Sequence, residues 1–174
     1  MAKKQIALIS TGGTIEKTYD AMSGLLANSV SVLDIMLDQM HLHGVELHRV
    51  GLMNKDSVQM SEADHVLIAD TAAHHAQTHD GVVVVHGTDR LSISGELTAT
   101  RKPLGPVVFT GAMRPRALRS TDADQNLTEA LLAVQLLPAG VYLAMHNQVL
   151  SFPGVIKDRE GGCFRMSDDA TGPA

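Results

Sequence analysis

Two short segments bring hydroxyl side chains together with glycines. Thr11-Gly12-Gly13-Thr14 closes one run of apolar residues, and His86-Gly87-Thr88-Asp89 closes another. A glycine turn lets backbone come close to a ligand, and a hydroxyl at its lip can project into the crevice. A third apolar run ends in Thr110-Gly111-Ala112-Met113-Arg114-Pro115. Any one of these could be an ordinary turn, but coincidence explains three poorly. Hydroxyls beside a carboxylate point to nucleophilic acyl transfer. A threonine hydroxyl is a weak nucleophile at neutral pH, so it needs a base within hydrogen-bond reach. Lys157, held neutral or polarised by Asp89, and the phenol of Tyr19 are the candidates. A triad of His86 with Thr88 and Asp89 is the competing design. It lacks a Gly-x-Ser-x-Gly elbow, and adjacent residues at a strand end point in opposite directions. A phosphate loop is weaker still, because there is no Gly-Lys-Ser/Thr and the glycine pair does not match dinucleotide spacing.

The elements that must position these groups follow from periodicity. Residues 5–11, 45–50, 81–85, 106–110 and 140–145 read as strands. Several are apolar at nearly every position, as in strands buried on both faces of a parallel sheet. Leu33, Met36, Leu37 and Met40 recur at helical spacing, as do Leu127, Ala130, Leu131 and Val134. Ser61 to Asp64 and Thr121 to Asp124 look like capping boxes that open helices. The alternation predicts an α/β fold: a doubly wound, mostly parallel sheet of Rossmann-like or flavodoxin-like type, in one domain over 1–174. Ligands of such sheets bind outside the carboxyl ends of the strands, where the glycine turns fall.

Composition narrows the function classes. With 14 Lys+Arg against 19 Asp+Glu, the net charge of −5 leaves no electrostatic footprint for nucleic acid. Aromatics make up 3% and tryptophan is absent, so a base-stacking platform is not expected. No apolar run reaches the roughly 18 residues that span a bilayer, and the start lacks a signal-peptide pattern, so a cytoplasmic protein is expected. A single cysteine excludes an intrachain disulfide framework. Among nine histidines, His75 and His79 are four apart on a predicted helix and would share a face. No His-Glu-x-x-His pattern accompanies them, and His41, His43 and His48 are expected to face solvent, so no metal is expected. His86 either orders the backbone of its turn or simply packs.

Thr11-Gly12-Gly13-Thr14-Ile15 and Val85-His86-Gly87-Thr88-Asp89 resemble the two signature segments of bacterial L-asparaginases, the asparaginase/glutaminase family. The likeness extends through Asp56 to Met60, Gly111 to Pro115, Ser120 to Asp122 with Asn126 and Leu127, and Val149-Leu150 followed by Lys157. The resemblance implies Thr14 as the nucleophile on the side-chain amide carbon of asparagine, with Tyr19 accepting or relaying its proton. It implies a second polar cluster of Thr88, Asp89 and Lys157. Ser57 and Asp89 match positions that hold the substrate's α-carboxylate and α-amine. Val58 stands where many relatives carry a polar residue, although a backbone contact would survive there. The Ala112 carbonyl would accept from the leaving nitrogen, and amides at the Gly13 and Gly87–Thr88 turns would face the oxyanion. No cofactor or metal is implied, and a homo-oligomer, dimer or higher, is expected. Longer relatives carry a second, smaller domain, so the expectation here is a more open site that binds asparagine weakly and uses glutamine poorly. The alternatives are a glutaminase, the amide-hydrolysing subunit of a tRNA-dependent amidotransferase, and a non-catalytic amino-acid sensor.

Overall fold

Largely apolar, buried strands form the middle of the sheet. β1 (Lys4–Gly12), β5 (Gly81–Val85) and β6 (Pro106–Thr110) are buried along all or most of their length. The structure, a computed structural model, describes residues 2–20, 25–27 and 32–168, without the side chains at 18–20 and 25–27. Around the central strands lie α1 (Val32–Asp38), β4 (Val45–Lys55), α2 (Glu62–His75), α3 (Leu91–Thr100), α4 (Ala123–Leu136), β7 (Gly140–Met145) and β8 (Gln148–Ser151). A short hairpin, β2 (Thr18–Asp20) with β3 (Leu25–Ala27), follows β1, and a second, β9 (Val155–Asp158) with β10 (Cys163–Met166), follows β8.

The six-stranded sheet has the order β4-β1-β5-β6-β7-β8. Its pairs are parallel except β7 with β8. Helices cover both faces. Leu33 and Met36 of α1 pack with Leu127, Leu131 and Val134 of α4 on one face. Ile68 and Ala72 of α2, Leu91 of α3, and Phe152, Val155 and Phe164 fill the other. The chain leaves β1 for β4 on one side and returns by α2 to β5 on the other. The strand order therefore reverses at β1 and β5, which puts the binding crevice of a doubly wound sheet at their carboxyl ends. This is the predicted fold class.

Ser61 caps α2 as predicted, in a reciprocal box with Asp64. The second predicted box does not form. Asp122 is the N-cap of α4 without a side-chain cap bond, and Thr121 Oγ1 instead accepts from the Ala123 amide at 3.0 Å and donates to the Arg114 carbonyl. α3 has no signal in the apolar periodicity. Gly95 lies in its interior because the Phe152 ring occupies the space of a side chain, with a ring carbon 2.1 Å from where a Cβ would stand.

Candidate active site

The end of β1 is built from two glycines that no other residue could replace without strain. Gly12 and Gly13 have φ of 96° and 88°, in the left-handed region. A Cβ on Gly12 would fall 2.6 Å from Lys55 backbone atoms, and one on Gly13 would fall 2.5 Å from Gly87. The first glycine turn thus lies directly on the second. A Cβ on Gly87 would in turn stand 2.7 Å from Cβ and Oγ of Ser57. Thr14, half-buried, opens a single 3₁₀ turn, Thr14–Glu16, immediately beyond this contact. The ends of β1 and β5 and the segment after β4 therefore converge at one rim, bringing Gly13, Gly87 and Ser57 into contact.

Ser57 is buried and its Oγ has no hydrogen-bond partner among the described residues. It begins a 3₁₀ turn, Ser57–Gln59, capped by Asp56, whose carboxylate accepts from the Val58 amide at 3.1 Å. Lys17 Nζ lies 2.6 Å from the same carboxylate and holds the Asp56 carboxyl below its ordinary range. The Lys17–Asp56 pair ties the segment after Thr14 to the turn carrying Ser57. Val58 itself is exposed.

Across the rim, Lys157 Nζ donates to Thr88 Oγ1 at 2.8 Å and to Asp89 Oδ1 at 2.9 Å. Arg159 lies 3.3 Å from the same Asp89 oxygen. Lys157 reaches the site from β9, whose hairpin is anchored by buried Val155 and Phe164. An ammonium that donates to a hydroxyl oxygen leaves the hydroxyl proton free to donate outward. Thr88 is thereby polarised as a donor. Tyr19 has its backbone in β2, opposite Leu26. The predicted role of its phenol concerns a side chain outside the described part of the structure.

The loop after β6 completes the rim. A Cβ on Gly111 would lie 2.3 Å from the His86 carbonyl oxygen, so this loop rests on the β5 turn. Ala112 is buried there. Asp122 fastens the loop: it accepts from the amides of Met113 at 3.0 Å and Arg114 at 2.9 Å, and from Asn126 Nδ2 at 2.8 Å, and pairs with His146 Nε2 at 2.7 Å. Burial works to raise the Asp122 carboxyl, but these bonds outweigh it and hold it below its ordinary value. Asn126 also donates to the Gly111 carbonyl at 2.9 Å and accepts from the His146 amide at 3.0 Å.

One sequence expectation needs correction, and the competing design is excluded. The Gly13 amide donates to the Lys55 carbonyl at 3.1 Å, so it does not face an oxyanion. The triad of His86 with Thr88 and Asp89 does not form, because both ring nitrogens are engaged elsewhere. His86 Nδ1 lies 2.8 Å from the Gly87 carbonyl, and Nε2 lies 2.9 Å from Ser94 Oγ, which is 2.7 Å from His65 Nδ1. A carbonyl only accepts, which assigns the proton to Nδ1 of His86. Ser94 then donates to Nε2 and accepts from His65. Burial lowers the His86 pKa to about 4, so the ring is neutral. Sequence reasoning left the role of His86 open; the ring orders the Gly87 turn. Ser94 and His65 carry no signal in the sequence, since they reach His86 only through the packing of α3 and α2.

Comparison with known proteins fits this geometry. The family model described as "Asparaginase, N-terminal" matches residues 5–160. The L-asparaginase of Thermococcus kodakarensis is 28% identical over 148 residues, which is 84% of this chain and 45% of that protein. A glutamyl-tRNA(Gln) amidotransferase subunit from Methanobrevibacter smithii is 30% identical over 151 residues, covering 85% of this chain and 35% of that protein. The solved structure of the thermostable L-asparaginase from Thermococcus kodakarensis superposes with a TM-score of 0.83 at 28% identity, over 93% of this chain and 51% of the other. The chain thus spans about half or less of the length of these relatives. Among the described residues, no helix is long and apolar enough to cross a membrane.

Proposed function

The chain belongs to the asparaginase family, and on that premise we propose that it hydrolyses the side-chain amide of L-asparagine through a threonyl acyl-enzyme. Thr14 Oγ1 attacks the carboxamide carbon. Its proton passes, through Tyr19, to the leaving nitrogen, so that the C–N bond breaks and ammonia departs. Water held by Thr88 then hydrolyses the ester and releases aspartate. The observation that carries this reading is the Lys157 ammonium bonded to both Thr88 and Asp89, on the rim where Gly13 packs against Gly87. The Thr88 amide, rather than that of Gly13, is assigned to the oxyanion. Ser57 Oγ, buried and without a partner among the described residues, supports a role in binding the substrate's α-carboxylate, beside Val58. Asp89 is assigned the α-amine, and the Ala112 carbonyl the leaving nitrogen. The reading extends to a cytoplasmic homo-oligomer.

The test is ammonia release from asparagine, glutamine and buffer alone, by the purified chain and by Thr14→Ala. Turnover of asparagine that falls on the order of 10³-fold or more in the variant, with the fold intact, supports it. Equal turnover by both proteins, or none by either, refutes it. The 30% identity to an amidotransferase component favours one second reading, an amide-hydrolysing subunit that works with partners. Ammonia release from free asparagine by the isolated chain distinguishes the two.

A further inference from the structure

His48, His75 and His79 come from separate parts of the fold and meet at the amino-terminal rim of the sheet, opposite the glycine turns. His48 stands on edge strand β4, paired with Ala7 of β1. His75 is the last residue of α2, and His79 lies in the turn that leads into β5. The ring centroids are 5.6 Å apart for His48 and His75, 5.3 Å for His48 and His79, and 5.2 Å for His75 and His79. One ring nitrogen from each lies within 4.8 Å of the other two.

The hydrogen bonding of His79 is that of a metal ligand. His79 Nδ1 lies 3.2 Å from the His75 carbonyl oxygen and 3.0 Å from Thr78 Oγ1. Because the carbonyl only accepts, Nδ1 carries the proton and Nε2 keeps its lone pair. Metal-bound imidazoles are held in this way, with the second nitrogen donating to a carbonyl or carboxylate that fixes tautomer and ring orientation. His75 Nδ1 is buried with no hydrogen-bond partner among the described residues, an arrangement that native structures rarely leave unexplained. We propose that His48, His75 and His79 bind one divalent first-row transition ion, Zn²⁺ or an ion with a similar preference for imidazole, with solvent in the fourth position. Three neutral nitrogen donors suit such ions, whereas Mg²⁺ and Ca²⁺ select oxygen. Zn–N bonds of about 2.0–2.1 Å in a tetrahedron set the nitrogens about 3.4 Å apart, so the rings must close inward. His48 is exposed and can turn to do so.

Bound there, the ion would join the edge strand to the end of α2. β1 separates this rim from the glycine turns by about 16 Å, at roughly 3.3 Å per residue from Ala7 to Gly12. The site is therefore independent of the proposed acyl transfer. The test uses the untagged chain, stripped with a chelator, titrated with Zn²⁺ by calorimetry and with Co²⁺ by visible absorption. One ion per chain and the d–d bands of four-coordinate cobalt are expected. His48→Ala and His79→Ala should each weaken binding about tenfold or more, while the double variant His41→Ala/His43→Ala binds as the parent does. His48→Ala alters an exposed side chain, so the fold should survive it, as a circular dichroism melt can verify. Absence of saturable one-to-one binding, or affinity unchanged in both single variants, overturns the proposal, as does loss of binding in the His41/His43 control.

Discussion

Lys157 bridges a hydroxyl and a carboxylate, so its removal changes both partners at once. Without it, Thr88 Oγ1 loses its donor at 2.8 Å, and Asp89 is left, among the described residues, with Arg159, at 3.3 Å on an exposed side chain. Lys157→Met is therefore expected to lower kcat for asparagine by roughly 10²–10⁴, the range of a positioned acid–base group. Its melting temperature should stay close to the parent's, because the hairpin is anchored by Val155 and Phe164. Steady-state ammonia release beside a thermal melt checks this, and a kcat within about threefold of the parent would remove Lys157 from the chemistry. Gly13 allows an equally sharp prediction on stability. Gly13→Ala combines a φ of 88° with a methyl 2.5 Å from Gly87 backbone atoms. Strain and overpacking together should cost about 2–4 kcal/mol in urea unfolding. Both residues were legible in the sequence, because a glycine pair after an apolar run and a lysine in a known signature are local signals. The fate of the Gly13 amide was not, because its acceptor, Lys55, belongs to β4.

The elements show the same division. β5, β6 and β7 occupy the predicted positions, because a strand buried on both faces must be apolar throughout and its limits are visible in one dimension. β9 and β10, four residues each, are too short to show a period, and they hold their place through side chains packed on the far face of the sheet. α3 was hidden because Gly95, Ser94 and Thr98 are poor helix formers whose places are set by Phe152, His86 and the helix's own carbonyls. The segment Thr121 to Asp124 reads as a capping box that opens α4, but in the fold its Asp122 bonds the loop after β6. Asp122 serves the loop rather than the helix, and this predicts how its variants behave. Asp122→Ala removes a charged acceptor shared by two amides, Asn126 and His146, and should cost roughly 1.5–3 kcal/mol. Asp122→Asn, which keeps one acceptor oxygen, should lose less. In the alanine variant the released Ala112 carbonyl should raise KM for asparagine more than it lowers kcat. Urea melts and substrate titrations measure both, and an alanine variant as stable as the parent would show that Asp122 does not anchor the loop.

The whole molecule carries a neutral histidine pair at its centre, and this sets its response to acid. His86 is fully buried, and its pKa is lowered to about 4 by desolvation, against an ordinary value of 6.5. His65, joined to it through Ser94, is lowered as well, first by burial and then by Arg90. Between pH 6.5 and about 4 the unfolded chain binds a proton at His86 that the folded chain refuses, so stability rises with pH across that window. The contribution is complete above pH 6.5 and is lost progressively as the pH falls towards 4, by up to about 3 kcal/mol for His86. Glu16 works in the opposite sense. Burial raises its pKa above 4.5, so its contribution is present at low pH and lost as the pH rises through the folded value. The net curve sums the two, and only a variant separates them. His86→Gln keeps a donor and an acceptor near Gly87 and Ser94 but does not titrate. Its urea-unfolding free energy should change between about pH 7 and pH 4.5 by about 2 kcal/mol less than the parent's. Parallel curves for the two proteins would mean that the fold does not lower the His86 pKa, and burial of its neutral ring would then not set the acid response.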